Sequence, residues 1–406
     1  MKLRRFFAGT LVLFSVIVMI IILVNNRKQY VILVSMDGFR WDYPEIYITP
    51  NLESIAAKGV KAGRLIPSFP TNTFPNHYTL ATGLYPDHHG LINNSFYAPD
   101  LDLFYSMGNR ERVENPDFYD GEPIWNTAGK NGIITASMFW VGSEAPVNGM
   151  QPTYWNRYDK SIPYKARIDS VINWLSLQKK ERPRFITLYF DEPDAVSHDY
   201  GPFSAETDSV VRHLDSLIGQ LVERVGALPI SKRINLIIVS DHGMGEISNE
   251  RLVNLWKLIP AKFIERYGGG NPVYLIDPAE SYGDTVISIL DETRGVKGYF
   301  KDDIPDHFHY GSNPRIPDIV AVADSAWSIV WVHDSSYVMH SKATHGWDPV
   351  NSEMHGIFYA KGRSFTRQSG IERLDNVDIY NLICEILDIE PAPNDGSKEK
   401  IKGLLR

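Results

Sequence analysis

Apolar residues in this chain gather into short continuous runs, where an amphipathic strand would alternate them with polar residues. Such runs cover residues 30–35, 133–139, 184–190 and 234–240. A run of this length and continuity is typical of a strand buried on both faces in a parallel sheet. A shorter run at 64–68 predicts one more strand.

Segments with helical spacing lie between these runs. Residues 50–59 begin with proline and end with glycine, which is typical of a helix, and residues 71–83 resemble a loop entering a helix. Residues 166–179 are amphipathic, and residues 204–225 form a longer helical pattern. This alternation predicts an α/β fold, doubly wound, with a mostly parallel central sheet and helices on both faces. In such folds, ligand groups collect beyond the carboxyl ends of the strands.

Residues 252–341 break the alternation. They contain three consecutive glycines at 268–270, several prolines and only short β-like pieces. We interpret them as a less regular subregion inserted into a single domain that covers residues 29–406. The polar tail at 391–406 is predicted to be loosely ordered.

The N-terminal residues 1–28 have the pattern of a targeting segment. Basic residues precede an uncharged run from Phe6 to Val24, and Arg27 and Lys28 follow it. The run is long enough to span hydrocarbon, and no small-residue cleavage site follows it. We therefore expect an uncleaved signal anchor, with a cleaved signal peptide as the alternative. The catalytic part is then expected outside the cytoplasm, in the periplasm or the extracellular space.

Composition narrows the functional classes. The 406 residues are 43% hydrophobic and 12% aromatic, which is ample for a packed core, and the formal net charge is −8. An acidic chain of this kind is not expected to bind duplex nucleic acid, which usually requires a basic face. A single cysteine, Cys384, lies in a helix-like apolar stripe and cannot form an internal disulfide.

Carboxylates and imidazoles occur just after several of the predicted strands and at turns. Such side chains are the ligands of catalytic zinc sites, and two metals could clamp both oxygens of a phosphoryl displacement. An isolated Asp-His-Gly is more often a plain turn, but several such pieces at strand ends together indicate a site. The candidate ligands are Asp37, Asp194, His198, Asp241, His242 and His345.

A candidate nucleophile lies in the segment 68–77. The hydroxyl of Thr73 would become reactive if metal contact lowered its pKa. The alternative for Thr73 is a helix cap or turn residue, and Thr71 is the competing hydroxyl nearby.

The motifs and their order resemble a known family, the nucleotide pyrophosphatase/phosphodiesterases of the alkaline phosphatase superfamily. The resemblance covers residues 31–387. The matching pieces are Met36-Asp37-Gly38, Thr73-Phe74-Pro75-Asn76-His77, Gly83-Leu84-Tyr85-Pro86 with His89-Gly90, Asn94, Glu192-Pro193-Asp194 with His198, Ser240-Asp241-His242-Gly243-Met244 and Thr344-His345-Gly346.

The resemblance implies a role for each matched residue. Asp37, Thr73, Asp241 and His242 match the ligands of one zinc ion, and Asp194, His198 and His345 match those of a second. Thr73 also matches the nucleophile that forms a phosphothreonine intermediate. Asn94, with a backbone amide near Thr73, matches the group that binds a non-bridging phosphate oxygen. Phe74 and Tyr158 match the aromatic pair that sandwiches a nucleobase.

The resemblance thus implies a zinc-dependent hydrolase of small phosphodiester or nucleotide substrates, with no protein partner. One departure is Val141, which replaces the usual proline of a Trp-Pro-Gly-Ser motif next to the base-binding wall. A lipid-headgroup phosphodiesterase and a phosphomonoesterase or sulfatase on the same scaffold are the rival enzymes. A surface binding module that keeps a decayed fold is the non-enzyme rival.

Overall fold

A computed structural model describes residues 28–334 and 336–406. The predicted N-terminal anchor therefore lies, except for Lys28, outside the described residues. Within the described part of the chain, none of the helices combines the length and the apolar character needed to cross a membrane.

The strands are defined by these bounds, in chain order: β1 (Tyr30–Met36), β2 (Val60–Ile66), β3 (Ser95–Ala98), β4 (Leu103–Ser106), β5 (Thr135–Met138), β6 (Tyr154–Trp155), β7 (Phe185–Phe190), β8 (Ile234–Val239), β9 (Gly245–Glu246), β10 (Leu252–Asn254), β11 (Ile264–Gly270), β12 (Val273–Pro278), β13 (Val296–Phe300), β14 (Ile319–Ala323), β15 (Ser328–Val330), β16 (Ala343–Thr344), β17 (Gly356–Lys361) and β18 (Ser369–Asp375).

The α-helices of the described residues are Tyr43–Ile46, Pro50–Lys58, Thr73–Thr82, Pro86–His89, Arg110–Val113, Ile124–Lys130, Tyr164–Ser176, Asp194–Tyr200, Ala205–Gly226, Leu255–Leu258, Gly283–Asp291, Asp378–Leu387 and Lys398–Ile401.

A central sheet of eight strands, counted over the described residues, has the order β18-β2-β17-β8-β1-β7-β5-β6. Strand β1 pairs in parallel with both β7 and β8, and β17 is antiparallel to its two neighbours β8 and β2. The remaining pairings in this sheet are parallel. The predicted mostly parallel sheet is therefore confirmed.

Both faces of this sheet are covered, as the continuous apolar runs predicted. In β1, Ile32 and Val34 face a core shared with the helices Tyr164–Ser176 and Ala205–Gly226. Val31 and Leu33 face the opposite core, which includes the helix Asp378–Leu387. Burial of successive side chains on opposite faces explains why the strand has no polar alternation.

The region 252–341 is more regular than the sequence predicted. It contains a four-stranded sheet, within the described residues, of order β11-β12-β14-β13, and its pairings are antiparallel. The polar tail was also predicted wrongly as loose, because Ile401 and Leu404 are buried against the core around the helix Asp378–Leu387. Cys384 is buried in that core, as expected.

Candidate functional site

The central sheet brings three acidic segments to one edge. Asp37 follows β1 directly, Asp191 follows β7, and Asp241 lies two residues beyond β8. Because β1 is the parallel neighbour of both β7 and β8, the three carboxyl ends lie side by side. The backbone N–H of Asp37 donates to the carbonyl of Phe190, which fixes the turn after β1 against the turn after β7.

The first cluster at this edge joins Asp37, Thr73, Asp241 and His242. His242 Nε2 lies 3.1 Å from Thr73 Oγ1, 3.1 Å from Asp241 Oδ2 and 3.4 Å from Asp37 Oδ1. The Tyr189 hydroxyl donates to Asp37 Oδ2 at 2.6 Å, and Gly38 N–H donates to Asp241 Oδ1 at 3.2 Å. Each carboxylate is thus held through one oxygen, and its other oxygen faces the cluster.

The second cluster is built on the helix Asp194–Tyr200. Asp194 and His198 are four residues apart, so they share one helix face. Asp194 Oδ1 is 3.5 Å from Nε2 of His198 and 3.5 Å from Nε2 of His345. The imidazole ring of His345 stacks on that of His242 at 3.6 Å, so the two clusters are continuous.

Three histidines are oriented in the same way by backbone carbonyls. Nδ1 of His198 donates to Ala343 O at 2.8 Å, Nδ1 of His345 to Thr71 O at 2.9 Å, and Nδ1 of His242 to Gly243 O at 2.7 Å. A carbonyl only accepts, so the proton lies on Nδ1 in each neutral ring and Nε2 is left with a lone pair. This is the arrangement by which outer hydrogen bonds fix a metal-binding histidine.

These residues fit divalent cations. Three groups whose possible ligand atoms lie within 4.8 Å of one another could hold an ion: Asp194, His198 and His345; Asp37, Asp194 and His242; and Asp37, His77 and Asp241. One carboxylate oxygen each of Asp37, Asp194 and Asp241 is buried without a hydrogen-bond partner among the described residues. Since buried polar atoms are nearly always partnered, these three oxygens are where cations are expected.

Electrostatics supports the same conclusion. Burial, and then the charges of Asp241 and Asp194, raise the pKa of Asp37 well above its usual range. Burial opposes the shift at His198, but the Asp194 carboxylate raises the pKa of His198 to about 9. Burial and the neighbouring His242 lower the pKa of His345 to about 3. Buried carboxylates held this close together repel one another, and bound cations would neutralise them.

His77 also lies in one of these groups, but both of its nitrogens are engaged. Its Nδ1 is 2.9 Å from the carbonyl of Thr73 and 3.2 Å from Asp241 Oδ2, and its Nε2 is 2.9 Å from Ser35 Oγ. The ring therefore supports Thr73 and Asp241 and presents no free nitrogen.

The two candidate hydroxyls have different surroundings. Thr73 is the first residue of the helix Thr73–Thr82, and its side chain lines a pocket of about 290 Å³. Thr71 is fully buried, and its Oγ1 donates to Trp347 O at 3.0 Å and accepts from Gly346 N at 2.9 Å. Its hydroxyl is therefore committed to holding the segment that carries His345, whereas the Thr73 hydroxyl faces His242.

Asn94 is oriented by the backbone beside Thr73. Phe74 N–H donates to Asn94 Oδ1 at 3.0 Å, and Asn94 N–H donates to Asn93 Oδ1 at 2.7 Å. Because an N–H identifies its acceptor as the amide oxygen, the Nδ2 group forms the other corner of the amide. Asn94 thus lies beside the start of the helix Thr73–Thr82.

Aromatic side chains line the pocket next to the clusters. Phe74 and Tyr158 both line it, and the ring of Tyr158 meets Phe139 edge-on at 5.1 Å. The sequence did not indicate two further members of this neighbourhood, Tyr189, which holds Asp37, and Arg110, which forms an ion pair in the pocket wall with Glu144, the acid after the Trp-Val-Gly-Ser segment. Arg110 and Glu144 are 34 residues apart in the sequence, so no local sequence pattern indicates that they form a pair.

Comparisons with known proteins agree with this geometry. A family model described as type I phosphodiesterase/nucleotide pyrophosphatase matches residues 31–348. Venom phosphodiesterase CdcPDE of Crotalus durissus collilineatus is 38% identical over 391 residues, which are 94% of this chain and 47% of that protein. Ectonucleotide pyrophosphatase/phosphodiesterase family member 3 of Bos taurus is 34% identical over 388 residues, which are 93% of this chain and 44% of that protein. The chain thus spans about half the length of the curated relatives that it matches.

Solved structures show the same fold. Murine ectonucleotide pyrophosphatase/phosphodiesterase 5, as an inactive variant in complex with AMP, superimposes with a TM-score of 0.88 at 32% sequence identity. The match covers 93% of this chain and 100% of that one. The human counterpart gives a TM-score of 0.87, also at 32% identity and with the same coverage of both chains.

Proposed function

We propose that this chain, which belongs to the type I phosphodiesterase/nucleotide pyrophosphatase family, hydrolyses phosphodiester or pyrophosphate bonds of nucleotides through a phosphothreonine intermediate. The observation that carries the proposal is the position of Thr73. Its hydroxyl lies 3.1 Å from His242 Nε2, on the wall of an aromatic pocket and beside three carboxylates that each have one buried, unpartnered oxygen.

Two zinc ions are the proposed cofactors, because nitrogen and carboxylate oxygen ligands together suit this metal. Asp37, Thr73, Asp241 and His242 would hold one ion, and Asp194, His198 and His345 the other. When bound, such ions lower the pKa of the attacking hydroxyl and neutralise charge on the phosphoryl group.

The chain's own residues then position the substrate. Phe74 and Tyr158 offer flat apolar faces for a base in the pocket. Asn94 Nδ2, held by the bond from Phe74 N–H, donates to a non-bridging phosphate oxygen as charge grows there. The Thr73 hydroxyl loses its proton to solvent, and its Oγ–phosphorus bond forms as the bond from phosphorus to the leaving oxygen breaks. Water then attacks phosphorus, the Thr73 Oγ–phosphorus bond breaks, and the Thr73 oxygen takes a proton back.

The charges of the side chains around the pocket favour a diester substrate over a monoester. The cation in the pocket wall, Arg110, is already paired with Glu144 and with Glu114. The described lining residues of the pocket therefore include no unpaired cation, and the side chain proposed to meet the phosphoryl oxygen, Asn94 beside Phe74, is a neutral amide. A singly charged diester suits this arrangement better than a doubly charged monoester.

Location and partners are part of the same proposal. We place the catalytic part outside the cytoplasm, held to a membrane by the apolar run between Phe6 and Val24. The partner in this view is a small nucleotide or phosphodiester.

We expect the zinc-loaded protein to hydrolyse bis-p-nitrophenyl phosphate at least about tenfold faster than p-nitrophenyl phosphate, because the site lacks a second charge for the monoester. Nucleotide esters and pyrophosphates are expected to be cleaved with higher kcat/KM than p-nitrophenyl phosphorylcholine, since only they place a base against Phe74. A faster rate on the monoester contradicts the proposed function, and a preference for the choline ester moves it to lipid headgroups.

We expect Asn94→Asp to lower kcat on a diester by roughly 10²-fold, the usual loss when one donor to a developing oxyanion is removed. An aspartate keeps an acceptor for Phe74 N–H but replaces the Nδ2 donor with a charged oxygen. Asn93→Asp is the matched control, because Asn93 accepts from Asn94 and Asn72 through Oδ1 without facing the phosphate. Equal losses in both variants would show that Asn94 only supports the loop.

A further inference from the structure

A groove of about 900 Å³ lies at the edge of the central sheet opposite the candidate site. Its floor includes Ile234 and Leu236 at the start of β8, and Val222 and Val225 near the end of the helix Ala205–Gly226. These apolar side chains belong to the core on that face of the sheet or pack against it. The groove is thus an opening between sheet and helix that exposes apolar surface.

The rim of the groove is strongly cationic. Its lining includes Lys58, Lys232, Lys361, Arg363, Arg367 and Arg406, and none of the described lining residues is acidic. Within the described residues, no carboxylate lies within ion-pair distance of Lys58, Lys232 or Arg363. This concentration of positive charge occurs in a chain of formal net charge −8. Unbalanced charges beside apolar surface indicate an amphipathic anion as the occupant.

The position of the groove relative to the chain indicates the source of that anion. Tyr30, at the start of β1, pairs with Ile234 in the groove floor. The chain therefore enters the described domain one strand away from the groove, directly after a sequence with an uncharged run from Phe6 to Val24. The candidate site lies at the other end of the same strand, roughly 20 Å away at about 3.3 Å per residue.

We propose that this groove binds an anionic phospholipid of the bilayer that the apolar run enters. The phosphate contacts the lysine and arginine side chains of the rim, and an acyl chain lies on the floor around Val225 and Ile234. Such binding holds the domain with its candidate site facing away from the lipid. It rests on the membrane anchoring proposed above, but it concerns a surface that the proposed hydrolysis does not use, so lipid binding and hydrolysis can be tested separately.

The test uses the full chain in a neutral detergent and three probes: dihexanoyl phosphatidylglycerol, dihexanoyl phosphatidylcholine and the deacylated headgroup glycerophosphoglycerol. Native mass spectrometry counts bound molecules and gives dissociation constants. We expect phosphatidylglycerol to bind at least about tenfold more tightly than the other two, because only it carries both a net negative charge and acyl chains.

The triple variant Lys58→Glu/Lys232→Glu/Arg363→Glu is expected to weaken phosphatidylglycerol binding by at least about tenfold. The control Lys160→Glu/Lys165→Glu/Lys262→Glu makes the same change in net charge at exposed positions away from the groove, and it is expected to change binding less than about twofold. Diester hydrolysis by the groove variant is expected to stay at the wild-type rate, which also shows that the variant is folded.

Equal affinity for phosphatidylcholine overturns the proposal, because charge would then play no part. Equal affinity for the deacylated headgroup also overturns it and points to a site for small soluble anions. If both triple variants lose binding equally, the effect comes from the overall charge of the protein. That result contradicts a specific lipid site in the groove.

Discussion

Replacing Thr73 by alanine is expected to lower kcat on a phosphodiester by at least about 10⁴-fold, the scale on which removing a nucleophile acts in other covalent hydrolases. The hydroxyl faces His242 at 3.1 Å and lines the pocket, so no other group replaces it at that point. The measurement is steady-state turnover of bis-p-nitrophenyl phosphate with zinc in excess. Acid quenching of the wild type during turnover should trap a phosphorylated peptide containing Thr73.

Two further variants sharpen this result. Thr73→Ser keeps a hydroxyl and is expected to retain activity within about 10²-fold of the wild type. Thr71→Val removes a buried hydroxyl that bridges Gly346 and Trp347, so it is expected to cost about 1–3 kcal/mol of stability while the phosphorylated peptide still forms. Near-normal turnover in Thr73→Ala, with loss in Thr71→Val, assigns the nucleophile to Thr71 instead.

Replacing Asp37 by asparagine is expected to reduce activity by at least about 10³-fold and, at the same time, to stabilise the metal-free protein. The loss of activity follows from the proposed role of Asp37 as a ligand, because a bound cation supplies several kcal/mol of transition-state stabilisation. The gain in stability of the metal-free protein follows from burial and from the charges of Asp241 and Asp194, which raise the pKa of Asp37 well above 3.8. Above pH 3.8 that carboxylate destabilises the metal-free fold increasingly as pH rises, and asparagine removes the effect.

Asp241→Asn is the matched comparison, because its stability effect has the opposite sign. Burial alone would raise its pKa, but His242 and His77 hold the pKa of Asp241 well below 3.8. Its charge thus stabilises the metal-free fold above that pH, and this contribution is lost as pH falls or when asparagine replaces it. We expect the melting temperature at pH 7, with chelator present, to rise by at least about 2 °C in Asp37→Asn and to fall by as much in Asp241→Asn.

Turnover with excess zinc is expected to fall in both variants. Full activity in either one contradicts its assignment as a metal ligand. Shifts of the melting temperature in the same direction contradict the difference in charge environment between the two carboxylates.

The sequence predicted the parts of this molecule in which local pattern and tertiary position agree. The run at 234–240 is apolar because β8 is buried on both faces, and Asp241 follows it at the sheet edge where ligands collect. The spacing of Asp194 and His198 placed them on one helical turn, and the structure agrees. In each case the signal lies within a few neighbouring residues.

The missed features depend on contacts between distant segments. Strand β11 contains three glycines, which have low strand propensity, yet it forms because β12 supplies a partner for each of them, with one irregularity in the pairing between Ile264 and Arg266. Addition of a Cβ atom at Gly268 would bring it within 3.2 Å of the Phe96 backbone, so close packing accounts for that glycine. In the tail, two buried side chains, Ile401 and Leu404, are enough to dock a segment whose composition is otherwise polar.

The short pairing of β9 with β16 has a consequence for how this architecture can diversify. Gly245 pairs with Thr344 and Glu246 with Ala343. This pairing holds the two ends of the segment 247–342, which contains the four-stranded sheet, next to each other. In the sequence, Asp241 and His242 lie just before this pairing and His345 lies just after it. The segment between the two ends also packs against the core around Tyr78, on the helix that begins at Thr73, so only its loops outside that core are free to change length without displacing the candidate ligands. Insertions at those loops are therefore the changes through which evolution or protein engineering can alter the approach to the site while this pairing keeps Asp241, His242 and His345 in place.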